Sequence, residues 1–514
     1  MTDEPVLLLK DLLRELPTGA RLSGDGGVAV RGVHQDSRRV EAGDLFVAMK
    51  GARSDGGKFV ADALARGAAA VMTEEPLEGL GVPLVRVADI RVALALASAA
   101  VYGHPAFSLD IIGITGTNGK TTTAHLVRRA IDGALGKPAC GIVGTVGHSF
   151  AALRIEASHT TPEADELARI LRSMRDAGAT HVAMEVSSIA LASRRAHAIR
   201  FRVAAFTNLT QDHLDYHGTM EAYAAAKAEL FTSYAPGAAV IHVDDPFGRE
   251  LAERVSTRVV RVSAKVGTPS SVADIAPETL ELSSGGIRAR LRVPDGKVEL
   301  ESPLYGAHNV ENLLVALGVV VALDLDVERA AAALRNEVGA GGRLERCESA
   351  EDDIVVLVDY AHTPDALARV LSSVRAATAG RVVLVFGCGG DRDRAKRGPM
   401  GRAAGEGADL AVVTNDNPRS EPPEAIASAV VGGLEEASAP RISPDAIGLA
   451  RRGYFVELDR REAISAAIRG ARSGDTVVIA GKGHETYQDF GATRVPFDDR
   501  AECRRALAER RASA

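Results

Sequence analysis

Residues 111–123 read IIGITGTNGKTTT, and the fold turns on how this stretch is read. Leu109, Ile111, Ile112 and Ile114 form a short apolar run, the pattern of a buried strand. Thr115 to Gly119 follow as a tight, glycine-containing turn, and residues 121–132 then space Ala124, Val127, Ala130 and Ile131 along one helical face. Strand, glycine turn, Lys-Thr and helix is the layout of a phosphate cradle, in which turn N–H groups and a helix N-terminus face an anion. Gly116 and Gly119 let the backbone turn and approach closely. Thr117, Asn118 and Thr122 complete the turn, Lys120 is expected to reach terminal phosphates, and the Thr121 hydroxyl is expected on Mg²⁺. The stretch departs from a full Walker A pattern in having Ile114 where the first glycine would stand. ATP is therefore the expected nucleotide; the turn alone does not say what it is used for.

The chain has 514 residues, enough for about three domains. With 46% hydrophobic and 25% charged residues it has the composition of a globular protein. A net charge of −7, with both signs mixed along the chain, argues against nucleic acid or an anionic membrane as the main partner. Cys140, Cys347, Cys388 and Cys503 lack metal-ligand spacing and read as free thiols in a reducing compartment. The N-terminal MTDEPVLLLKDLL is acidic and lacks the basic region of a signal peptide, and no apolar run approaches a membrane span. A cytoplasmic, monomeric enzyme whose partners are small molecules only is the resulting expectation.

Residues 1–108 precede the phosphate turn and contain HQDSRRVEAGDLFVA, in which Asp36, Ser37 and Arg38 read as a capped turn. Residues 109–342 alternate strand and helix, the pattern of a mostly parallel sheet with helices on both faces. Thr160-Thr161-Pro162 is expected to open a helix with proline at its first position. The strand over 181–186 delivers Glu185, then Ser187 and Ser188, to its C-terminal end, where ligands of such sheets gather. The strand over 201–209 runs into TQDHLDYHG, which packs Asp212, His213, Asp215 and His217 into six residues able to bind a divalent metal or position phosphate. Lys227 lies among alanines in EAYAAAKAELF, and by composition it reads as a surface lysine. Residues 288–293 and 298–302 read as a β-hairpin, and GAGGR at 339–343 marks a boundary. Residues 343–514 repeat the alternation, with DYAH, GCGGDRDR, NDNPR and GKGHE at successive strand ends. Arg392, Arg394, Lys396, Arg397 and Arg419 make that edge cationic and suited to a carboxylate-bearing substrate.

GTNGKTT, MEVSS, TNLTQDHLDYHG, AAKAELF, AHNVENLL, GRLE, DYAHTPD, GCGGDRDR, DNPR and GKGHE occur in one order along nearly the whole chain. In this the sequence resembles the Mur ligases of peptidoglycan synthesis. The resemblance implies an α/β protein of three domains: a smaller N-terminal UDP-substrate domain (1–108), a central P-loop ATPase-type domain with a mostly parallel sheet (109–342), and a C-terminal Rossmann-like amino-acid domain (343–514). It implies an ATP-dependent ligase that adds meso-2,6-diaminopimelate to the D-Glu γ-carboxylate of UDP-N-acetylmuramoyl-L-alanyl-D-glutamate (the UDP-MurNAc-dipeptide) through an acyl phosphate. It further implies that the outer domains close on the central one.

Carried over by residue, the resemblance implies that Gly116 to Thr122 bind ATP phosphates and that Asn309, Arg343 and Asp359 help hold the nucleotide. It implies that Thr121 and Glu185 hold one Mg²⁺, and that Glu185, His213 and a carbamylated Lys227 organise a second; this reverses the surface reading of Lys227. Ser37 would meet the uridine end, and Thr160, Thr161, Ser187 and Arg195 the muramoyl-dipeptide. Asp416, Asn417, Pro418 and Arg419, with Arg392, Gly481 and Glu485, would receive diaminopimelate, whose distal carboxylate can pair with Arg419, whereas the ammonium of lysine would be repelled. Ile189, Ser193 and His159 depart from the family pattern, Ser193 standing where a Gln often contacts the sugar-peptide. A lysine-adding or folylpolyglutamate-type ligase and a non-catalytic ATP-binding scaffold are the competing readings.

Overall fold

The computed structural model describes residues 7–51, 55–283 and 285–513. Residues 1–6, part of the acidic N-terminal stretch, lie outside them. The chain forms two compact units, Met1–Val262 with Val315–Ala330, and Ser263–Leu314 with Ala331–Ala514. No helix among the described residues is long and apolar enough to cross a membrane.

The first unit is built on an eight-stranded sheet in the order Leu153–Ile155, Gly147–Phe150, Cys140–Gly144, His181–Glu185, Asp110–Thr115, Phe201–Phe206, Ala238–His242, Arg258–Val262. The six strands from Cys140–Gly144 to Arg258–Val262 run parallel. Their apolar residues are continuous rather than alternating, because such a sheet is covered on both faces; Ile111, Ile112 and Ile114 are all 0% exposed. The antiparallel edge hairpin at 147–155 was not expected from sequence, its strands being short and half-buried. Asp110–Thr115 lies between the strand ending at Glu185 and the strand ending at Phe206. Strands that follow it in sequence fall on either side, so chain order reverses at its C-terminal end and opens a crevice there.

The same unit contains a five-stranded sheet, in the order Arg21–Ser23, Leu84–Arg86, Ala70–Thr73, Leu45–Val47, Val33–His34. It shares a core with the helix Ile90–Val101, whose N-terminus is capped by the Asp89 carboxylate accepting from the Arg91 and Val92 N–H groups. The helix expected to start at Pro162 instead spans Ala164–Asp176, with Glu163 at its N-cap. Pro162 therefore precedes the helix, and Thr160 and Thr161 lie in a loop where their side chains can serve other partners.

The second unit holds a six-stranded sheet, in the order Glu345–Arg346, Val355–Asp359, Thr476–Ala480, Val382–Phe386, Leu410–Val413, Gly453–Val456, parallel except for its first strand. The hairpin read at 288–302 is present as Gly286–Val293 and Gly296–Ser302, and Ala276–Ser283 adds a third antiparallel strand. A fully buried ion pair fastens the C-terminal helix Asp499–Ser513 to this sheet. Arg460 Nε and Nη2 donate to Asp499 Oδ1 and Oδ2 at 2.8 and 2.7 Å, and Nη2 also donates to the Ala480 carbonyl at 3.0 Å. Both side chains are 0% exposed, so removing one leaves the other charged without solvent. Asp499→Ala is expected to lower unfolding stability by about 3–5 kcal/mol, read as a fall in the urea midpoint; a loss inside experimental error would refute this role.

Candidate active site

The turn after Asp110–Thr115 is held by the loop that follows the neighbouring strand. Asn208 accepts from the Thr117 N–H at its carbonyl (2.8 Å) and from the Asn118 N–H at its side chain (3.0 Å), while Thr207 Oγ1 donates to the Asn118 carbonyl (2.7 Å). Gly116 has φ +148°, and a Cβ there would collide with Thr207 Oγ1. Gly119, in the left-handed region, leads into the helix Lys120–Leu135 with no side-chain cap on its first N–H groups. This is the anion-facing geometry the sequence implied, with the helix beginning at Lys120.

Two lysine amines converge on one carbonyl. Lys120 Nζ donates to the Gly116 oxygen at 2.9 Å and also to the Thr117 oxygen at 2.9 Å, and Lys227 Nζ donates to the Gly116 oxygen at 2.8 Å. Lys227 is 1% exposed, so the composition-based reading of a surface lysine is wrong. The alanines around it are small enough to let the helix Met220–Thr232 pack closely, which draws the lysine inside. Burial, followed by the nearby Lys120 charge, holds the Lys227 ammonium well below the usual lysine range. In its unprotonated form this amine would carry the lone pair needed to add CO₂. The amine lies 4.3 Å from the centroid of the buried Tyr223 ring, whose hydroxyl is 3.2 Å from Thr117 Oγ1.

Glu185 ends its strand fully enclosed. Its Oε2 accepts from Thr121 Oγ1 at 2.9 Å and Thr145 Oγ1 at 3.1 Å, and its Oε1 accepts from the Thr145 N–H at 2.8 Å. Gly144 is obligatory beside it, since a Cβ would collide with Glu185 Oε1. Carboxylate and hydroxyl oxygens at this spacing fit a hard cation such as Mg²⁺. Lys227 as an amine does not suit such a cation; as a carbamate it would. His213 lies 3.6 Å from Asp212 Oδ2 and edge-on to Tyr223 at 6.2 Å, the ring that Lys227 also faces; burial lowers its pKa, and the Lys120 and Lys227 charges act in the same direction. His217 is taken up by Ser188, 2.9 Å away. Among the described residues, no group of three or more His, Cys, Asp or Glu side chains is arranged to hold a metal.

The residues expected at the muramoyl-dipeptide adjoin Glu185. Thr160 Oγ1 accepts from Thr145 Oγ1 at 3.1 Å, and Thr161 Oγ1 donates to the Glu185 carbonyl at 2.9 Å and accepts from the Ser187 N–H at 3.0 Å. Arg195 donates to the Thr161 carbonyl at 3.0 Å and pairs with Glu163 at 2.7 Å. Ser193 turns inward onto the Ile189 carbonyl at 2.6 Å, leaving its hydroxyl committed to its own helix turn. Ser37, 6% exposed, opens a short helical turn capped by Asp36, which also takes Arg38 in a bidentate pair at 2.9 and 2.7 Å.

In the second unit, Asp359 pins two expected nucleotide loops together, accepting from the Leu344 and Ala361 N–H groups at 2.8 and 2.7 Å; burial raises its pKa. The Arg343 guanidinium lies over the Tyr360 ring at 4.6 Å. Asn309 bonds the Tyr305 carbonyl at 2.8 Å and Asn312 at 2.9 Å. Arg419 has φ +50° and donates to the Gly390 carbonyl at 2.7 Å, and a Cβ on Gly389 would lie 3.0 Å from Arg419 Nη1 and 3.7 Å from Arg392 Cγ. Asp416 and Asn417 are buried, and Asn417 Nδ2 donates to Glu485 Oε2 at 2.8 Å. Pro418 caps a turn, its carbonyl accepting from the Glu421 N–H at 3.1 Å, and the Gly481 N–H donates to the Asp359 carbonyl at 3.1 Å. The cationic edge is narrower than the sequence suggested. Arg397 and Arg394 pair with Glu421 at 2.9 and 3.2 Å, and Lys396 donates to the His362 carbonyl at 2.9 Å. Sequence reasoning missed Thr145, Asn208, Tyr223 and Glu421; Asn208 and Tyr223 stood inside quoted motifs, whereas Thr145 and Glu421 had no motif to mark them.

Three family models cover most of the chain: the Mur ligase family catalytic domain over residues 29–102, the Mur ligase middle domain over 114–320, and the Mur ligase glutamate ligase domain over 342–483. The UDP-N-acetylmuramoyl-L-alanyl-D-glutamate–2,6-diaminopimelate ligase of Gloeobacter violaceus is 44% identical, with 99% of each chain covered. The enzyme of the same name from Geobacter metallireducens is 42% identical, with 98% of each covered. A solved structure of a ligase bearing that name superposes with a TM-score of 0.70 at 33% identity, over 98% of this chain and 99% of the other.

Gly116→Ala is expected to weaken nucleotide binding about tenfold or more, because the added Cβ must displace Thr207 from the turn. Calorimetric titration with ATP checks this, and an unchanged affinity would count against the turn as the nucleotide site.

Proposed function

The chain belongs to the Mur ligase family, and from that premise we propose that it is the ATP-dependent ligase joining meso-2,6-diaminopimelate to the D-Glu γ-carboxylate of UDP-N-acetylmuramoyl-L-alanyl-D-glutamate. The observation that carries the reading is the set of polar side chains meeting around the Gly116 turn and Glu185, beside full-length similarity to ligases of that name. In this reading residues 1–108 hold the UDP end, 109–342 the ATP, and 343–514 the amino acid, in a cytoplasmic, monomeric enzyme.

A carboxylate is a poor electrophile, so it must first gain a leaving group. The γ-carboxylate oxygen attacks the ATP γ-phosphorus, the bond to the β-phosphate oxygen breaks, and ADP leaves. The diaminopimelate amine then attacks the acyl carbon, phosphate departs with the oxygen it bonded, and the amine loses a proton as the amide forms. Lys120 and the N–H groups of residues 116–122 offset charge on the phosphates. Thr121 and Glu185 would hold Mg²⁺, with His213 and carbamylated Lys227 toward a second ion; when bound, such metal would supply Lewis-acid stabilisation of the transferring phosphoryl group. Thr160, Thr161, Ser187, Ser193 and Arg195 line the path of the muramoyl-dipeptide, and Ser37 meets the uridine. Arg343, Asp359 and Asn309 orient the nucleotide.

The fork of Arg419 can pair both oxygens of the distal carboxylate, with Arg392 adding charge and Asp416, Asn417, Pro418, Gly481 and Glu485 shaping the rest of the site. L-Lysine lacks that carboxylate and brings only an ammonium to the distal end. Phosphate release with the UDP-dipeptide is expected to favour diaminopimelate over L-lysine by about a hundredfold or more, and Arg419→Ala should remove most of that preference. Equal use of both amines by the wild type would refute the diaminopimelate assignment. No release with any amine would favour the non-catalytic scaffold.

Under this reading the buried Lys227 amine, once unprotonated, takes up CO₂, which makes CO₂ an activator. Stripping bicarbonate from the assay should lower activity and restoring it should recover the rate, whereas Lys227→Met should stay inactive under both conditions. Indifference of the wild type to bicarbonate would overturn the carbamate.

A further inference from the structure

One buried lysine in the second unit has no part in the reading above. Lys482 is 0% exposed. Its Nζ donates to Asn417 Oδ1 at 3.0 Å and to Glu485 Oε2 at 3.1 Å, and lies 3.7 Å from Asp416 Oδ1. These acceptors come from two separate turns, one after Leu410–Val413 and one after Thr476–Ala480. The Tyr487 ring closes another side, its centroid 5.6 Å from Nζ. An ammonium group has three protons to donate and no acceptor capacity, so withdrawn from water it fixes its oxygen partners in place.

The partners are held from other directions as well. Asn417 Nδ2 donates to Glu485 Oε2 at 2.8 Å, and Asn417 Oδ1 accepts from the Asp489 N–H at 2.9 Å. Gln488 donates to the Asp416 carbonyl at 3.1 Å. Glu485 Oε2 is therefore spoken for by two donors, while its side chain remains 21% exposed. Without Lys482, Asp416 would face Glu485 with Arg460 left to offset its charge, an arrangement that like-charge repulsion strains. Burial already raises the Asp416 pKa, with Arg460 and Lys482 offsetting part of that cost.

We propose that Lys482 is a positioning residue for the incoming amino acid: it clamps Asn417 and Glu485 into one orientation, leaving Glu485 Oε1 to receive an ammonium group, and does not itself touch the ligand. The inference rests on the diaminopimelate reading of this site. It deepens that reading by naming what sets the geometry of the contact residues.

The test is steady-state kinetics of the full-length protein, with KM measured separately for meso-diaminopimelate, ATP and the UDP-dipeptide. Wild type, Lys482→Met, Glu485→Gln and the double variant are compared. Lys482→Met should raise the diaminopimelate KM about tenfold or more. The other two KM values should stay within about twofold of wild type. The double variant should be no worse than the worse single variant, because Lys482 acts through the Glu485 carboxylate. An unchanged diaminopimelate KM, an equal rise in all three KM values, or multiplying effects in the double variant would overturn the clamp. If Lys482→Met fails to fold, the double variant, which removes both charges, carries the test; a folded double variant with wild-type amine KM overturns the proposal. Wild type that releases no phosphate with any diamino acid defeats the underlying reading and the clamp with it. Active wild type beside an unaffected Lys482→Met defeats the clamp alone.

Discussion

The Glu185 carboxylate organises the first unit. It ends a strand that is buried along its whole length, so its charge can be kept only by donors brought to it. Three arrive, the Thr121 hydroxyl from the start of the phosphate-turn helix and the N–H and hydroxyl of Thr145 from the next strand end. The backbone carbonyl of the same residue takes Thr161. One residue thus ties together the phosphate turn, the loop after Cys140–Gly144 and the loop before Ala164–Asp176. The parallel sheet makes this possible, because the phosphate turn and the loop after Cys140–Gly144 leave from the strands flanking the Glu185 strand, at the same edge. A substitution at Glu185 would therefore be felt in three loops at once, and loss of activity alone would not distinguish a lost metal ligand from lost loop order.

The Gly116 carbonyl is the complementary centre of positive charge. Two lysine amines within hydrogen-bond distance of one oxygen repel each other if both are protonated, and burial lowers the pKa of Lys227. Lys227 is the more deeply enclosed and the one driven toward the neutral form. The same burial that would make a lysine a poor structural choice here makes it chemically available, and its reaction product would carry the negative charge that balances Lys120.

Much of this was legible in the sequence because it depended on local pattern. The phosphate turn follows from glycines at fixed offsets between an apolar run and an amphipathic helix. The position of Glu185 follows from its place at the end of a strand in an alternating β/α chain. Composition misread Lys227 for the opposite reason, and only the family resemblance corrected it at the level of sequence. An alanine-rich helix looks solvent-facing by composition, and only tertiary packing shows that small side chains here permit close approach rather than exposure. The edge hairpin at 147–155 escaped for a related reason, since strands of three or four residues carry too little periodicity to stand out.

Charge was the least legible property of all. Five cationic residues in the second unit looked like one cationic edge, yet Glu421 takes Arg394 and Arg397 through space. What remains around Asp416 and Glu485 is closer to balanced, with Lys482 on the inside and Arg392 and Arg419 at the turn near Gly389. A zwitterion with two ammonium and two carboxylate groups suits alternating charges better than a uniformly positive surface does. Selectivity for such a ligand then depends on where each charge is held rather than on how many there are. Under the proposed function, turns locked by buried side chains, and not the count of arginines, would then carry the recognition.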